Sequence, residues 1–490
     1  MKHRPFLLLL IMAIPSLAIA QDAVRFEDYF FDKTMRIDYF HIGQAGEEII
    51  TIDQIYQQGT WAGSRRNLID PFNNGRYSVK IFDDASGNLI YSKGFDSYFG
   101  EYKTTDAALG GEKRTYHESA LIPYPKRKFI FSLEVRDREN RLQPLMKKRL
   151  EPSSINIHKE GPDHETYVFE AFKSGDPHIK VDVAIIGEGY GKDEMDKFQA
   201  DLKRFTEIFF NQEPYTTYRD RFNIYGALKP SQESGCDEPR HGIYKNTTLN
   251  ATFNSLGSER YLLTEDNKSL RDVASHVPYD ALYIMVNHSR YGGGGIYNLY
   301  CTFTVDNQWH TYLFLHEFGH SFAGLADEYY TSSVAYNEFY PRGIEPLESN
   351  ITALLDKGNV KWKPFLTERI EIPTPWEKEE YDRMDNAYQK VRQELNDKIA
   401  AMKRQGKSLE EISKIEEESE ALSLQHAQRV DAYLAKSRFA GAVGVFEGAG
   451  YSSQGLFRPM LDCLMFTKGD KPFCKVCEQA IIKVIKYYTE

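Results

Sequence analysis

The stretch HEFGHSFAGLADEYY, residues 316–330, sets two histidines and a glutamate in an H-E-x-x-H pattern. On an α-helix, residues four positions apart lie on one face, so His316 and His320 would direct their imidazoles at one point. This spacing is typical of a zinc site. Glu317 lies beside the first histidine, where it can reach a metal-bound water and act as its general base. The pattern predicts a hydrolytic centre with one zinc ion.

The residue that completes the zinc site must come from beyond the helix, because a catalytic zinc takes three protein ligands and keeps one position for water. Gly324 stands where a glycine can end a helix and turn the chain. In the pattern H-E-x-x-H-x-x-G-x-x-H/D, the glycine and the third ligand would fall on Ala323 and Ala326, so both are displaced here by one residue. Asp327 keeps the three-residue step after the glycine and is the predicted ligand, with Glu328 as the alternative.

The elements that position this site belong to a chain of 490 residues, long enough for two or three domains. Apolar residues make up 41% and charged residues 27%, as in soluble globular proteins. The net charge of −10 argues against a nucleic-acid partner, which requires a basic face. The sequence does not by itself predict an oligomeric state.

The N-terminus has the pattern of a secretory signal. Residues 1–20 combine a basic start, an apolar run and a small-residue ending, Ala18-Ile19-Ala20, before Gln21. We therefore expect a signal peptide over 1–20 and an exported mature chain in the periplasm, on the cell surface or outside the cell. No later segment is long and apolar enough to predict a membrane span.

Two domains are expected after the signal. Residues 21–160 contain alternating runs with turns such as 84–88, which predicts an antiparallel β-sandwich with a structural or targeting role. Residues 161–490 alternate apolar strands with helices, which predicts an α/β domain. Its predicted elements are strands at 181–190, 221–228 and 281–287 and a helix at 193–210. The pattern of residues 376–437 predicts a helical hairpin inserted in this domain. Its charged surface is expected to be solvated, with a partner-binding role as the alternative.

The five cysteines are expected to form disulfides, because an exported chain folds in an oxidising compartment. We predict a bridge among Cys463, Cys474 and Cys477, with a thiolate metal site as the alternative that lacks a fourth ligand. Cys236 and Cys301 are candidates for a second bridge.

Beyond these patterns, the sequence resembles the bacterial IgA-specific metalloendopeptidase family, a branch of metzincin-like zinc peptidases. The resemblance covers most of residues 165–490, and a β-domain similar to 21–160 is often joined to it. It is carried by HEFGHSFAGLADEYY, VDVAIIGEGYGKDEMDKF, SQESGCDEP and the closing block VGVFEGAGYSSQGLFRPMLDCLMFTKGDKPFCKVC. The resemblance implies that His316, His320 and Asp327 bind the metal and that Glu317 is the catalytic base.

The same resemblance implies two further features. Met465 is similar to the methionine of the turn beneath the metal in metzincins, with Met460 as the alternative. The glycine run before 296–305 resembles the edge strand that lines the cleft in such enzymes, and Gly293, Gly294 and Tyr297 are its candidate substrate-lining residues. Pairing with a substrate backbone at a strand edge suits a peptide, although a flexible hairpin without substrate contact fits the glycines equally.

The expected function is an exported zinc endopeptidase acting on proteins or peptides. A surface or periplasmic binding protein with a structural or idle metal site is the alternative, although Glu317 argues against it. Zinc-dependent hydrolysis of a non-peptide amide is a third possibility. We do not carry the immunoglobulin specificity of the family's name over to this chain.

Overall fold

The computed structural model describes residues 24–159, 161, 163–331 and 339–490. The predicted signal peptide lies outside the described residues. Within them, no helix is both long and apolar enough to cross a bilayer.

The N-terminal part contains two four-stranded sheets that enclose one hydrophobic core. The first has the order β5-β1-β2-β8, with β1 (Phe30–Gln44), β2 (Glu47–Gln57), β5 (Arg114–Pro125) and β8 (Ile157–His158). The second has the order β4-β3-β6-β7, with β3 (Tyr77–Asp83), β4 (Leu89–Phe95), β6 (Phe129–Arg136) and β7 (Leu142–Leu150). All pairs are antiparallel except β2 with β8. The predicted N-terminal β-domain is confirmed, and the predicted turn at 84–88 joins β3 to β4.

Three short helices accompany these sheets: α1 (Phe26–Tyr29), α2 (Tyr98–Tyr102) and α3 (Asp106–Leu109). Alternate residues in parts of β1 and β3 enter the shared core, among them Ile37, Tyr39, Val79 and Ile81. This alternation is the physical origin of the period-2 sequence pattern.

The second part is built on a six-stranded sheet of order β13-β14-β12-β10-β11-β9. Its strands are β9 (Tyr167–Lys173), β10 (Val181–Glu188), β11 (Phe222–Leu228), β12 (Ala281–Val286), β13 (Gly293–Ile296) and β14 (Tyr300–Thr304). The four inner strands are parallel, and β13 and β9 are antiparallel edge strands. Strands β10, β11 and β12 are buried on both faces, which explains their continuous apolar runs.

Helices cover the two faces of this sheet. They are α4 (Met195–Phe210), α6 (His310–Ala323) and α9 (Lys475–Thr489) on one face and α5 (Asn267–Ala274) on the other. The predicted strands and the helix at 193–210 are confirmed, as is the mixed α/β class of the chain.

The charge-rich stretch corresponds to α7 (Lys378–Arg404) and α8 (Leu409–Leu434), which pack against each other. Ser408 and Glu411 begin α8 with reciprocal capping hydrogen bonds. Helix α8 reaches the start of α6, where Trp309 Nε1 donates to Ser423 Oγ at 3.1 Å. A two-stranded sheet follows, β15 (Phe446–Ala449) with β16 (Ser452–Arg458).

Candidate active site

Helix α6 carries the H-E-x-x-H pattern and is fixed by aromatic packing. Tyr283 of β12 stacks on Phe314 and Phe318, with ring centroids 4.6 and 4.8 Å apart. Gly324 ends the helix in the left-handed conformation with φ 58°, which an L side chain rarely adopts. The chain therefore turns back and brings residues 325–328 under the helix, as the sequence predicts.

The polar atoms of three predicted site residues meet at one point. His316 Nε2 and His320 Nε2 lie 3.1 Å apart. Oδ1 of Asp327 lies 3.0 Å from the first and 3.2 Å from the second. Despite these distances, Oδ1 has no partner with hydrogen-bond geometry among the described residues. All three atoms thus surround a common point.

These distances fit a tetrahedral metal ion. Ligand atoms bound to zinc at about 2.0–2.1 Å lie about 3.3 Å from one another. His316 and Asp327 are buried, so an unfilled cluster of this polarity would be costly. The two histidines hold the pKa of Asp327 well below its ordinary range, against the opposing effect of burial. The residues present therefore fit the group that the sequence predicts.

The other ring nitrogens are held by carbonyl oxygens. His316 Nδ1 lies 3.1 Å from the Leu464 oxygen, and His320 Nδ1 lies 2.6 Å from the Leu325 oxygen. A carbonyl only accepts, so each Nδ1 carries the proton and each Nε2 keeps a lone pair for a metal. Such partners fix the tautomer and orientation of a metal-binding histidine.

Glu317 lies next to the histidine pair, and its carboxylate belongs to the same cluster of potential ligand atoms, all within 4.8 Å of one another. Burial raises the pKa of Glu317, while the neighbouring histidines oppose the rise. A carboxylate with a raised pKa is suited to proton transfer near neutral pH.

The glycines of β13 let that strand approach α6 closely. A Cβ on Gly295 would lie 2.4 Å from the Glu317 carbonyl oxygen and 2.9 Å from the His320 Cβ. A Cβ on Gly293 would lie 3.0 Å from Oε1 of Glu317. Close packing against α6 therefore explains glycine at 293 and 295.

The outer edge of β13 is partly paired within the chain. Leu262 N donates to the Gly293 oxygen at 3.2 Å, and Gly293 N donates to the Arg260 oxygen at 3.4 Å. By alternation, Gly295 is the next residue with backbone groups directed outward. No backbone group of the described residues pairs with that side of Gly295. Tyr297 follows the strand in a turn and lines the same cavity as Gly293 and Gly294.

Arg260 and Tyr329 form a polar pair beside the His–His–Asp cluster. Nothing in the sequence indicated that Arg260 would lie at the site. An NH2 group of Arg260 donates to the Tyr329 hydroxyl at 2.9 Å, and both residues line the cavity with His316 and Glu317. Tyr330 points elsewhere and donates to Asp382 at 2.7 Å. Of the two tyrosines that follow Glu328, only Tyr329 faces the site.

Glu328 and Met465 lie on the far side of the turn. The Glu328 carboxylate points at Cys474 and Cys477 rather than at the histidines. Met465 is fully buried beneath α6, since a Cβ on Gly319 would lie 2.9 Å from its Sδ.

The predicted disulfides are not confirmed, because all five cysteines are free thiols in the structure. Cys463 and Cys477 have Sγ atoms 3.9 Å apart, far beyond the bond length of about 2.05 Å. Cys301 and Cys236 belong to the cores on opposite faces of the six-stranded sheet, so they do not pair.

The N-terminal domain reaches the cavity of about 110 Å³ at the metal-site cluster. Asn74 and Asp96 line it, and Asn74 Nδ2 donates to the Gly324 oxygen at 3.4 Å. Asp96 N donates to the Tyr297 oxygen at 2.9 Å. Sequence reasoning gave this domain no place at the site, because no pattern in a loop such as 73–75 indicates a contact 250 residues away.

A mixed α/β domain with this His–His–Asp cluster and a neighbouring glutamate is typical of a metal-dependent hydrolase. The chain belongs to the IgA peptidase M64 family, whose model matches residues 169–485. The model of the peptidase M64 N-terminus matches residues 25–147. The chain is accordingly a metallopeptidase. No curated protein matches it.

Proposed function

We propose that this chain is an exported zinc-dependent endopeptidase with a metzincin-like catalytic domain. The observation that carries the proposal is the convergence of His316 Nε2, His320 Nε2 and Asp327 Oδ1, with the Glu317 carboxylate beside them. We assign the three converging residues as zinc ligands and Glu317 as the general base. A zinc ion held there would act as a Lewis acid and would lower the pKa of a bound water.

The chain's own residues then carry the proton and hold the substrate. Glu317 takes a proton from the attacking water and passes it to the leaving amide nitrogen. The Arg260–Tyr329 pair donates hydrogen bonds to the oxygen on which negative charge develops. Met465 packs under the histidines as the methionine of the turn.

A protein substrate is supported by the part of the β13 edge at Gly295 that no backbone group of the described residues pairs with. The outward backbone groups of Gly295 can form hydrogen bonds with the backbone of an extended peptide. Such pairing does not depend on the side chains of the substrate. We propose pairing at Gly295 rather than at Gly293, whose outward groups already bind Arg260 and Leu262. Gly294 and Tyr297 then line the cleft on either side, and no specificity for IgA is proposed.

The domain division near residue 160 and the insertion at 376–437 are parts of the same proposal. The two family models match on either side of that division, at 25–147 and 169–485. Export rests on the sequence pattern of residues 1–20.

The test is zinc content together with casein hydrolysis in purified mature protein. We expect Asp327→Ala to lose about one zinc per chain and all hydrolysis above background. Asp382→Ala is the matched control, because Asp382 binds the Tyr330 hydroxyl away from the site. Full zinc and full activity in Asp327→Ala would overturn the proposed ligand set.

A further inference from the structure

A second group of potential metal ligands lies on the other side of the 324–328 turn. Glu328, Cys463, Cys474 and Cys477 place one oxygen and three sulfur atoms within 4.8 Å of one another. All four side chains are buried, with at most 3% of any of them exposed. The sequence presented three cysteines without a fourth ligand, and the fold supplies it in Glu328.

We propose that this cluster binds a structural zinc ion, separate from the catalytic one. Zinc is the expected metal because three thiolates and one carboxylate form a closed, soft, four-coordinate set. Nothing in the assigned peptidase chemistry uses these residues.

The distances agree with tetrahedral coordination. With Zn–S of about 2.3 Å and Zn–O of about 2.0 Å, sulfur atoms lie about 3.8 Å apart and sulfur and oxygen about 3.5 Å apart. Cys463 and Cys477 have Sγ atoms 3.9 Å apart. Oε1 of Glu328 lies 3.2 Å from Cys477 Sγ and 3.9 Å from Cys474 Sγ.

The surroundings are those of charged ligands. Backbone N–H groups of Cys474 and Met465 point at Cys463 Sγ from 3.1 and 3.4 Å. Cys474 also lies at the N-terminus of the 15-residue helix α9, where the helix dipole stabilises negative charge.

The Glu328 carboxylate gives a second, independent indication of a bound cation. Its Oε2 is buried and has no hydrogen-bond partner among the described residues. Its Oε1 accepts from Asn350 Nδ2 at 3.1 Å, and Asn350 also holds both backbone groups of Ala326. Asn350 thus holds Oε1 beside the thiol sulfurs, while Oε2 has no partner in the described part of the chain, and a cation at the cluster would balance this buried carboxylate.

The structural ion would support the catalytic site. Glu328 directly follows Asp327, and its N–H donates to the Met465 oxygen at 2.9 Å. Cys463 precedes Leu464, whose carbonyl orients His316. One ion at the cluster thus ties the turn that carries a catalytic ligand to the loop that orients another.

The first test uses the wild-type mature protein, purified without reductant. We expect about two zinc ions per chain and an intact denatured mass that corresponds to five free thiols. A mercurial reagent that titrates thiols should release about one of the two ions. A mass short by two hydrogens would reveal a disulfide, and together with a single zinc it would overturn the proposal.

Variants separate the two sites. Cys477→Ser should reduce zinc from about two ions to about one. Cys301→Ser is the matched control, because Cys301 is also buried and free but lies outside the cluster, and it should keep both.

Cobalt substitution distinguishes this proposal from the proposed peptidase. In His320→Ala, which removes a catalytic ligand, Co(II) should still give thiolate-to-metal charge-transfer absorption in the near ultraviolet. That absorption should be absent from His320→Ala/Cys477→Ser. A cobalt-loaded His320→Ala protein without charge-transfer bands would contradict the cluster site, whatever the outcome at the histidines.

Discussion

The Tyr451 hydroxyl donates a 2.5 Å hydrogen bond to Oδ2 of Asp327, while Oδ1 of the same carboxylate faces His316 and His320. The two oxygens of Asp327 thus have separate partners: Oδ2 accepts from Tyr451, and Oδ1 faces the two histidines. Tyr451 lies 124 residues beyond Asp327, on the turn between β15 and β16. The C-terminal block thereby fixes the orientation of Asp327, the proposed third ligand.

Replacing this hydroxyl should weaken the catalytic metal site. In Tyr451→Phe, we expect the affinity for zinc to fall by about 10- to 100-fold, as when other partners of metal ligands are removed. Chelator competition measures the change. Tyr330→Phe is the control, because its hydroxyl binds Asp382, and its zinc affinity should equal that of the wild type. Equal affinities in both variants would show that Tyr451 does not orient Asp327.

Arg260 and Tyr329 should act on the reaction rather than on the metal. If Tyr329 donates to the developing oxyanion, Tyr329→Phe should lower kcat by about 10²- to 10³-fold. KM and zinc content should stay near the wild-type values, which distinguishes loss of this donor from loss of the site. A change confined to KM would instead place Tyr329 in substrate binding.

Gly295 should not tolerate a side chain. The Cβ of Gly295→Ala would meet the Glu317 carbonyl oxygen at 2.4 Å, so α6 or β13 must shift. We expect a loss of about 1–3 kcal/mol in the free energy of unfolding, together with reduced activity. Gly59→Ala is the control, since no atom lies within 4 Å of its Cβ position. Urea unfolding measures both, and equal stability of Gly295→Ala and wild type would contradict the packing described.

Asp182, which lies outside the candidate active site, should make the free energy of unfolding depend on pH. Burial, followed by repulsion from Asp280, raises the pKa of Asp182 above its ordinary value of 3.8. The folded state therefore holds a proton that the unfolded state releases above that value, and stability falls as pH rises through the interval between the two pKa values.

Asp182→Asn removes this titration while keeping an oxygen for Asn223 Nδ2, which donates to Oδ1 of Asp182 at 2.8 Å. Urea unfolding between pH 5 and 8 should then show a decline in stability shallower by up to about 1.4 kcal/mol per pH unit. Asp196→Asn makes the same charge change at an exposed position and should keep the wild-type slope. An unchanged slope in Asp182→Asn would contradict the raised pKa.

The local features of the site were predictable because they depend on helix geometry. Spacing alone placed His316 and His320 on one face with Glu317 beside the first histidine, and glycine conformation alone placed the turn at Gly324. The parallel strands were also predictable, since burial on both faces leaves continuous apolar runs such as 181–188.

The rest depends on long-range folding, which no local pattern contains. Arg260 comes from an irregular segment 69 residues before its partner Tyr329. Glu328 appeared to compete with Asp327 for one metal because adjacent residues in a turn are indistinguishable without side-chain directions. The predicted disulfide among Cys463, Cys474 and Cys477 is not confirmed, and the sequence alone could not show that the Glu328 carboxylate lies beside these three thiols.

The most direct test of Glu317 as the general base of a zinc peptidase is casein hydrolysis by Glu317→Gln, with the zinc content measured in the same sample. Glutamine keeps the size of the side chain but cannot accept the proton. We expect the wild-type zinc content and a rate of hydrolysis lower by at least about 10²-fold. Hydrolysis at the wild-type rate by a zinc-loaded Glu317→Gln protein would show that Glu317 is not the general base.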